Sequence, residues 1–229
     1  TNSGYSKQNL SSISIGTNAG YNDQSHNSIA IGTNTAYSNQ ASNCIAIGSN
    51  AGSSNQNTNS IAIGLNSGMT TQKNNSIAIG SNSGKTNQDA SSISIGNSAG
   101  FSNQGGSSIA IGPYAGVTDQ SSNSIAIGEN AGSYKQLNKS IAIGNDAGKI
   151  NQNYISIAIG NNAGFTNQSF KSIAIGFNSA YSNQKENSIS IGNYAGHNSQ
   201  DISSIAIGGS SGHTRQNVQA ISIGSYAGY

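Results

Sequence analysis

The chain repeats itself every sixteen residues, fourteen times, with no insertion or deletion. Ile13 recurs as Ile29, Ile45, Ile61 and onward to Ile221, Ile15 and Gly16 recur in step to Ile223 and Gly224, and a glutamine runs from Gln8 and Gln24 to Gln200 and Gln216. The consensus is N-S-I-A-I-G-x-N-A-G-x-x-N-Q-x-x. An unfolded linker has no reason to hold such a metre. A stacked fold does, because each residue sits above its equivalent one turn below.

The unit selects the kind of stack. Sixteen residues rich in Gly, Asn and Ser are too few for a helix pair. The I-[AS]-I-G core is short, β-branched and alternating, then breaks at glycine, which predicts one strand per unit followed by a corner. One strand always in phase gives an all-β parallel β-solenoid over residues 1–229, a single uninterrupted array. At about 4.8 Å between strands, fourteen turns would extend about 65–70 Å. Asn tolerates left-handed corners, and Gly16 is expected to need a positive φ.

Variation between copies sorts the columns. The slot shared by Leu10, His26, Thr58, Tyr154 and Glu186 accepts anything, as does the preceding one with Asn9, Lys73, Leu137 and Asp201, so both are expected to face solvent. The Ile13 and Ile15 columns never vary and share one strand face. They are expected to be the main hydrophobic term, at about 1.5–3 kcal/mol for each side chain buried. The other face holds only Ala or Ser at Ser14, Ala30 and their copies, and Ser in twelve copies of the Ser12 slot, with Cys44 and Ala220 as exceptions. This restriction predicts a strand packed on both faces. The Ser28 and Ala30 face is then expected to meet something close, most simply a second chain. The Gln8 column predicts stacked amides bonded along the array. The Gly20 slot, with Ala36 and Ala180, is expected to demand smallness more than a special dihedral.

Composition excludes most chemistry. Only 7% of residues are charged and the net charge is +2, which leaves no electrostatic footprint for nucleic acid. No apolar run approaches the roughly 18 residues of a membrane helix. One cysteine, Cys44, excludes a disulfide framework; in a serine column it reads as an inert buried thiol. The seven acids, Asp23, Asp89, Asp119, Glu129, Asp146, Glu186 and Asp201, form no column, and the calcium-binding nonapeptide pattern is missing. No catalytic residue, cofactor site or metal site is therefore assigned. His197 and His213 lie sixteen apart, on adjacent turns, where they could share a metal or act as a pH-sensitive pair. Their slot also holds Tyr5, Tyr21, Tyr37, Phe101, Phe165, Tyr181 and Tyr229, rings that serve either as scattered exposed aromatics or as contacts between chains. Asn9, Asn74, Asn138 and Asn167 begin glycosylation triplets that arise readily in so Asn- and Ser-rich a chain.

Through S-I-A-I-G-x-N-A-G, over all fourteen repeats, the chain resembles the head repeats of YadA-type trimeric autotransporter adhesins. It is also similar to the repeat arrays of some phage and giant-virus tail-fibre proteins. The recurrent N-Q and the sixteen-residue unit depart from the shorter autotransporter repeat. The resemblance implies a left-handed parallel β-roll, three chains side by side, in an extracellular adhesive, cell-surface or virion fibre. Expected partners are copies of the chain itself, as a trimer or a head-to-tail filament, and a host surface or its glycans. The array is expected to be an excerpt of a longer fibre protein. An ice-binding solenoid is the alternative. It wants a regular Thr face, which the Ser6, Asn22, Ser38, Thr70 and Thr86 slot offers until Tyr134 and Ile150 break it.

Overall fold

The computed structural model describes residues 2–229 and is a parallel β-solenoid of about fourteen turns, sixteen residues per turn, without helix. It forms two compact units, Thr1–Tyr114 and Ala115–Tyr229. Each turn has an isoleucine strand, Ile13–Ile15 in the first and Ile29–Ile31 in the next. Most turns add a second strand that ends on the glutamine, such as Ser38–Gln40 and Ser54–Gln56, where the repeat predicted only one strand. Unit one carries seven strands of each kind; unit two carries seven isoleucine strands and five glutamine strands.

Within each unit equivalent residues pair in parallel and in register. Ile45 lies beside Ile61, Ala46 beside Ala62 and Gln40 beside Gln56; in unit two Ile141 lies beside Ile157 and Gln152 beside Gln168. Hydrogen bonds run to the turn on either side. The Ile45 N–H donates to the Ser60 carbonyl at 3.0 Å, and the Gly48 N–H to the Ile31 carbonyl at 2.8 Å. No connection is longer than the turn itself, so the backbone polar groups are satisfied by the stack.

The asparagines answer to backbone geometry. Three slots besides the glycines are left-handed: Asn18 and its copies (φ 54), Asn39 and its copies (φ 57), and Asn27 and its copies (φ 56). These sites are rich in Asn, whose side chain tolerates that region. The expected positive φ at Gly16 is present, at 127°. The column also requires the missing side chain: a Cβ on Gly64 would lie 2.6 Å from the Gly80 carbonyl oxygen. The Gly20 slot proves to need both smallness and handedness, because Gly20 has φ 54 and both Ala36 and Ala180 adopt φ 46.

The facing of the isoleucine strand is opposite to the sequence expectation. Among the described residues the buried apolar side chains are all alanines, apart from Cys44. Ala30, Ala46, Ser28 and Ser60 are fully buried inside the turn, whereas Ile13 and Ile15 and their copies point outward and stay half-buried or exposed. The small-residue face is tightly packed, as expected, but against its own turn and not against a second chain. The reason is the glutamine. Gln56 is fully buried and reaches across the interior, so that its Nε2 donates to the Ile45 carbonyl at 2.9 Å. A side chain that long leaves room opposite only for Ala, Ser or Gly: the site of a Cβ on Gly52 is 2.7 Å from Gln56 Oε1 and 3.3 Å from Ala46 Cβ.

Candidate functional site: columns inside and outside the turns

The interior is a polar ladder. Gln24, Gln40, Gln56 and the following copies through Gln200 are at most 1% exposed. Each Nε2 carries two hydrogens and finds up to three acceptors. For Gln152 these are the Ile141 carbonyl at 2.7 Å, the Ser156 carbonyl at 3.4 Å and Gln168 Oε1 at 3.3 Å. In unit two the amide chain runs on from Gln120 through Gln136, Gln152, Gln168, Gln184 and Gln200 to Gln216. In unit one Gln40 Nε2 donates to Gln56 Oε1 at 3.1 Å. The buried Oε1 atoms of Gln40, Gln72 and Gln88 have no partner.

Serine at the Ser12 slot is kept for a bond as well as for size. Ser76 Oγ donates to the Lys73 carbonyl at 2.6 Å and Ser92 Oγ to the Asp89 carbonyl at 2.6 Å, capping the corner between strands. Cys44 fills the same role, its Sγ 2.9 Å from the Asn57 carbonyl. Burial holds its thiol above the usual range, against a smaller opposing effect of Ser60. This is the inert buried thiol its column indicated.

Outside, the two isoleucine columns form a regular apolar surface. In unit one the strip from the Ser11 slot to the Asn18 slot carries no charged residue in any turn. Amide ladders frame it: Asn43 to Asn59 to Asn75 along one border, each step 3.1 Å, and Asn50 to Asn66 to Asn82 along the other, at 3.0 and 3.1 Å. Leu65 stands at the border with half its surface exposed. In unit two the same strip holds both signs, Glu129, Lys139, Asp146 and Lys171, together with exposed Phe177.

The remaining candidates are scattered or paired. The aromatic slot forms stacks: Tyr5 on Tyr21 at 5.0 Å, Tyr21 on Tyr37 at 4.9 Å, and in unit two His197 on His213 at 5.0 Å. Among the described residues no three His, Cys, Asp or Glu side chains group as metal ligands would. Three of the acids take part in ion pairs, Lys7 with Asp23 at 3.3 Å, Lys73 with Asp89 at 3.1 Å and Lys149 with Asp146 at 2.8 Å. The Ala90 N–H, ahead of Lys73, holds the Asp89 carboxyl below its ordinary value. Hydroxyls of the would-be ice-binding slot turn back to the backbone, Thr86 Oγ1 donating to the Phe101 carbonyl at 3.0 Å. Among the described residues no helix is long and apolar enough to cross a membrane.

Comparison of the chain with known protein families, with curated proteins and with solved structures found no match.

Proposed function

We propose that this chain is a structural and adhesive fibre segment outside the cell, on a cell surface or a virion, and that it carries no catalysis. In this reading copies of the chain lie side by side along their isoleucine columns, as a trimer of left-handed rolls. The observation that carries it is the outward pair of isoleucine columns, which in unit one lie on an uncharged strip. A monomer gains nothing by holding fourteen copies of two β-branched side chains half in water. A contiguous apolar surface of that regularity is the ordinary mark of an interaction face. The uncharged face of unit one also meets its own copy without like-charge repulsion, and its in-register spacing matches that copy by construction. The resemblance of the repeats to trimeric adhesin heads and tail-fibre arrays points the same way.

The test is solution mass by light scattering. The expected value is three times the chain mass of 23.1 kDa. Ile47→Lys combined with Ile79→Lys should give folded monomers, because neither side chain contributes to the turn interior. A parent chain that stays monomeric at micromolar concentration, or a double variant that assembles like the parent, overturns the reading. The ice-binding alternative loses support from the inward-bonded hydroxyls of its slot.

A further inference from the structure

One column of rings in unit two crosses five successive turns. Phe165 stacks on Tyr181 at 4.9 Å, Tyr181 on His197 at 5.2 Å, His197 on His213 at 5.0 Å and His213 on Tyr229 at 5.1 Å. The two imidazoles are within 4° of parallel, and Tyr194 leans on both, at 5.3 and 6.1 Å. Each Nδ1 is buried without a hydrogen-bond partner. The groups facing the pair are the Tyr181, Tyr194 and Tyr229 rings and the Asn198 amide, all uncharged near neutral pH. The backbone changes in these same turns. The glutamine strand is continuous through Ser182–Gln184, and beyond it only the bridges Ser182 to Asn198 and Gln200 to Gln216 persist.

We propose that His197 and His213 form a proton-operated latch on residues 197–216, closed when both rings are neutral and opened when both are protonated. Protonation turns each buried Nδ1 into a donor, with only the Asn198 amide beside His197 as a partial offset, and an unpaired buried donor opposes folding. It also sets two positive charges face to face at 5.0 Å with no carboxylate among the groups stacked on them. Burial, and then the neighbouring His213, already hold His197 below the usual imidazole range. A histidine depressed in the folded state stabilises the fold above its unfolded value of about 6.5 and loses that contribution as pH falls through the lower folded value. On the glutamine side these turns are joined by single bridges in place of strands, whereas Ile205–Ile207 stays paired on both sides. Gln200 and Gln216, joined at 3.3 Å, would then be uncovered, and the strand edges beside them would offer unpaired backbone groups to a partner. This latch belongs to a single chain and is independent of the side-by-side assembly.

Hydrogen exchange tests it, expressed as protection factors so that the intrinsic pH dependence divides out. Residues 197–216 should lose protection between about pH 8 and pH 5, on either side of the ordinary imidazole value. Residues 93–104 should not change. His197→Tyr with His213→Tyr keeps a ring in the slot, as Tyr181 and Tyr229 do, and should abolish the response. A parent chain without the loss, or a double variant that retains it, overturns the latch. Should the double variant fail to fold, an NMR titration of the parent decides: the His197 imidazole is expected to protonate below the usual range, and an ordinary transition there overturns the proposal.

Discussion

Ser94 donates its hydroxyl to Oε1 of Gln104 across the interior of one turn, at 2.5 Å. Ser14 does the same for Gln24, and Ser190 for Gln200. Where this slot is alanine at Ala30, Ala62 and Ala78, the facing oxygens of Gln40, Gln72 and Gln88 are buried and unpaired. The preceding glutamines, Gln24, Gln56 and Gln72, direct their amides to backbone carbonyls. Ala30→Ser, Ala62→Ser and Ala78→Ser should therefore each stabilise the fold, by about 1 kcal/mol. Thermal midpoints measure this; three variants all less stable than the parent would contradict the pairing.

Removing a glutamine should do the reverse. Gln152→Leu strips the Ile141 and Ser156 carbonyls of a donor in the interior and cuts the amide chain between Gln136 and Gln168. The expected loss is about 1–3 kcal/mol for each buried group left unpaired. Denaturant unfolding reads it, and Gln152→Glu, which keeps the length but removes donors, should be as harmful. A neutral result for both would mean that the ladder contributes no stability.

Ile155 occupies a left-handed slot, with φ 55, that most turns give to Asn or Ser. A β-branched side chain there costs about 1–2 kcal/mol against a residue that accepts the region. Ile155→Asn should raise the midpoint, and Asn123→Ile at the equivalent position should lower it. Equal midpoints for the pair would show that the corner is not selecting its residue.

Cys44 sets a pH dependence. Its thiol is held above the usual value by burial, so between the unfolded value near 8.5 and the folded one the native state binds more protons than the unfolded state. Stability is then complete below the unfolded value and falls as pH rises through that window. Urea midpoints at about pH 7 and pH 10 should differ for the parent and differ less for Cys44→Ser, which restores the residue of twelve other turns. A small thiol reagent should label Cys44 only on unfolding.

The metre of the repeat made the solenoid legible, and the constancy of Gln8 and its copies made the buried ladder legible. The facing of the isoleucines is not legible from their constancy, because an invariant column need not be a buried one. A signal for the correct facing was present. An invariant long amide needs small residues opposite it, and Ser12, Ser14, Gly20 and their copies supply them, whereas Ile13 and Ile15 would not fit. The second strand was missed because Ser38–Gln40 has a left-handed residue, Asn39, at its centre, and that pattern reads as a loop. The aromatic stacks follow from period alone, since any ring kept in one slot lies about 5 Å above the next.

The backbone bonds reach only fifteen residues forward or seventeen back, as from Ile45 to Ser60 and from Gly48 to Ile31. Every turn is thus defined by its two neighbours and by nothing farther along the chain. Copying or excising a block such as residues 61–76 within unit one restores the same seams, Ile to Ile and Gln to Gln. Recombination between near-identical gene segments can in this way lengthen or shorten the array in whole turns, and reach becomes a trait that evolves without redesign of the interior.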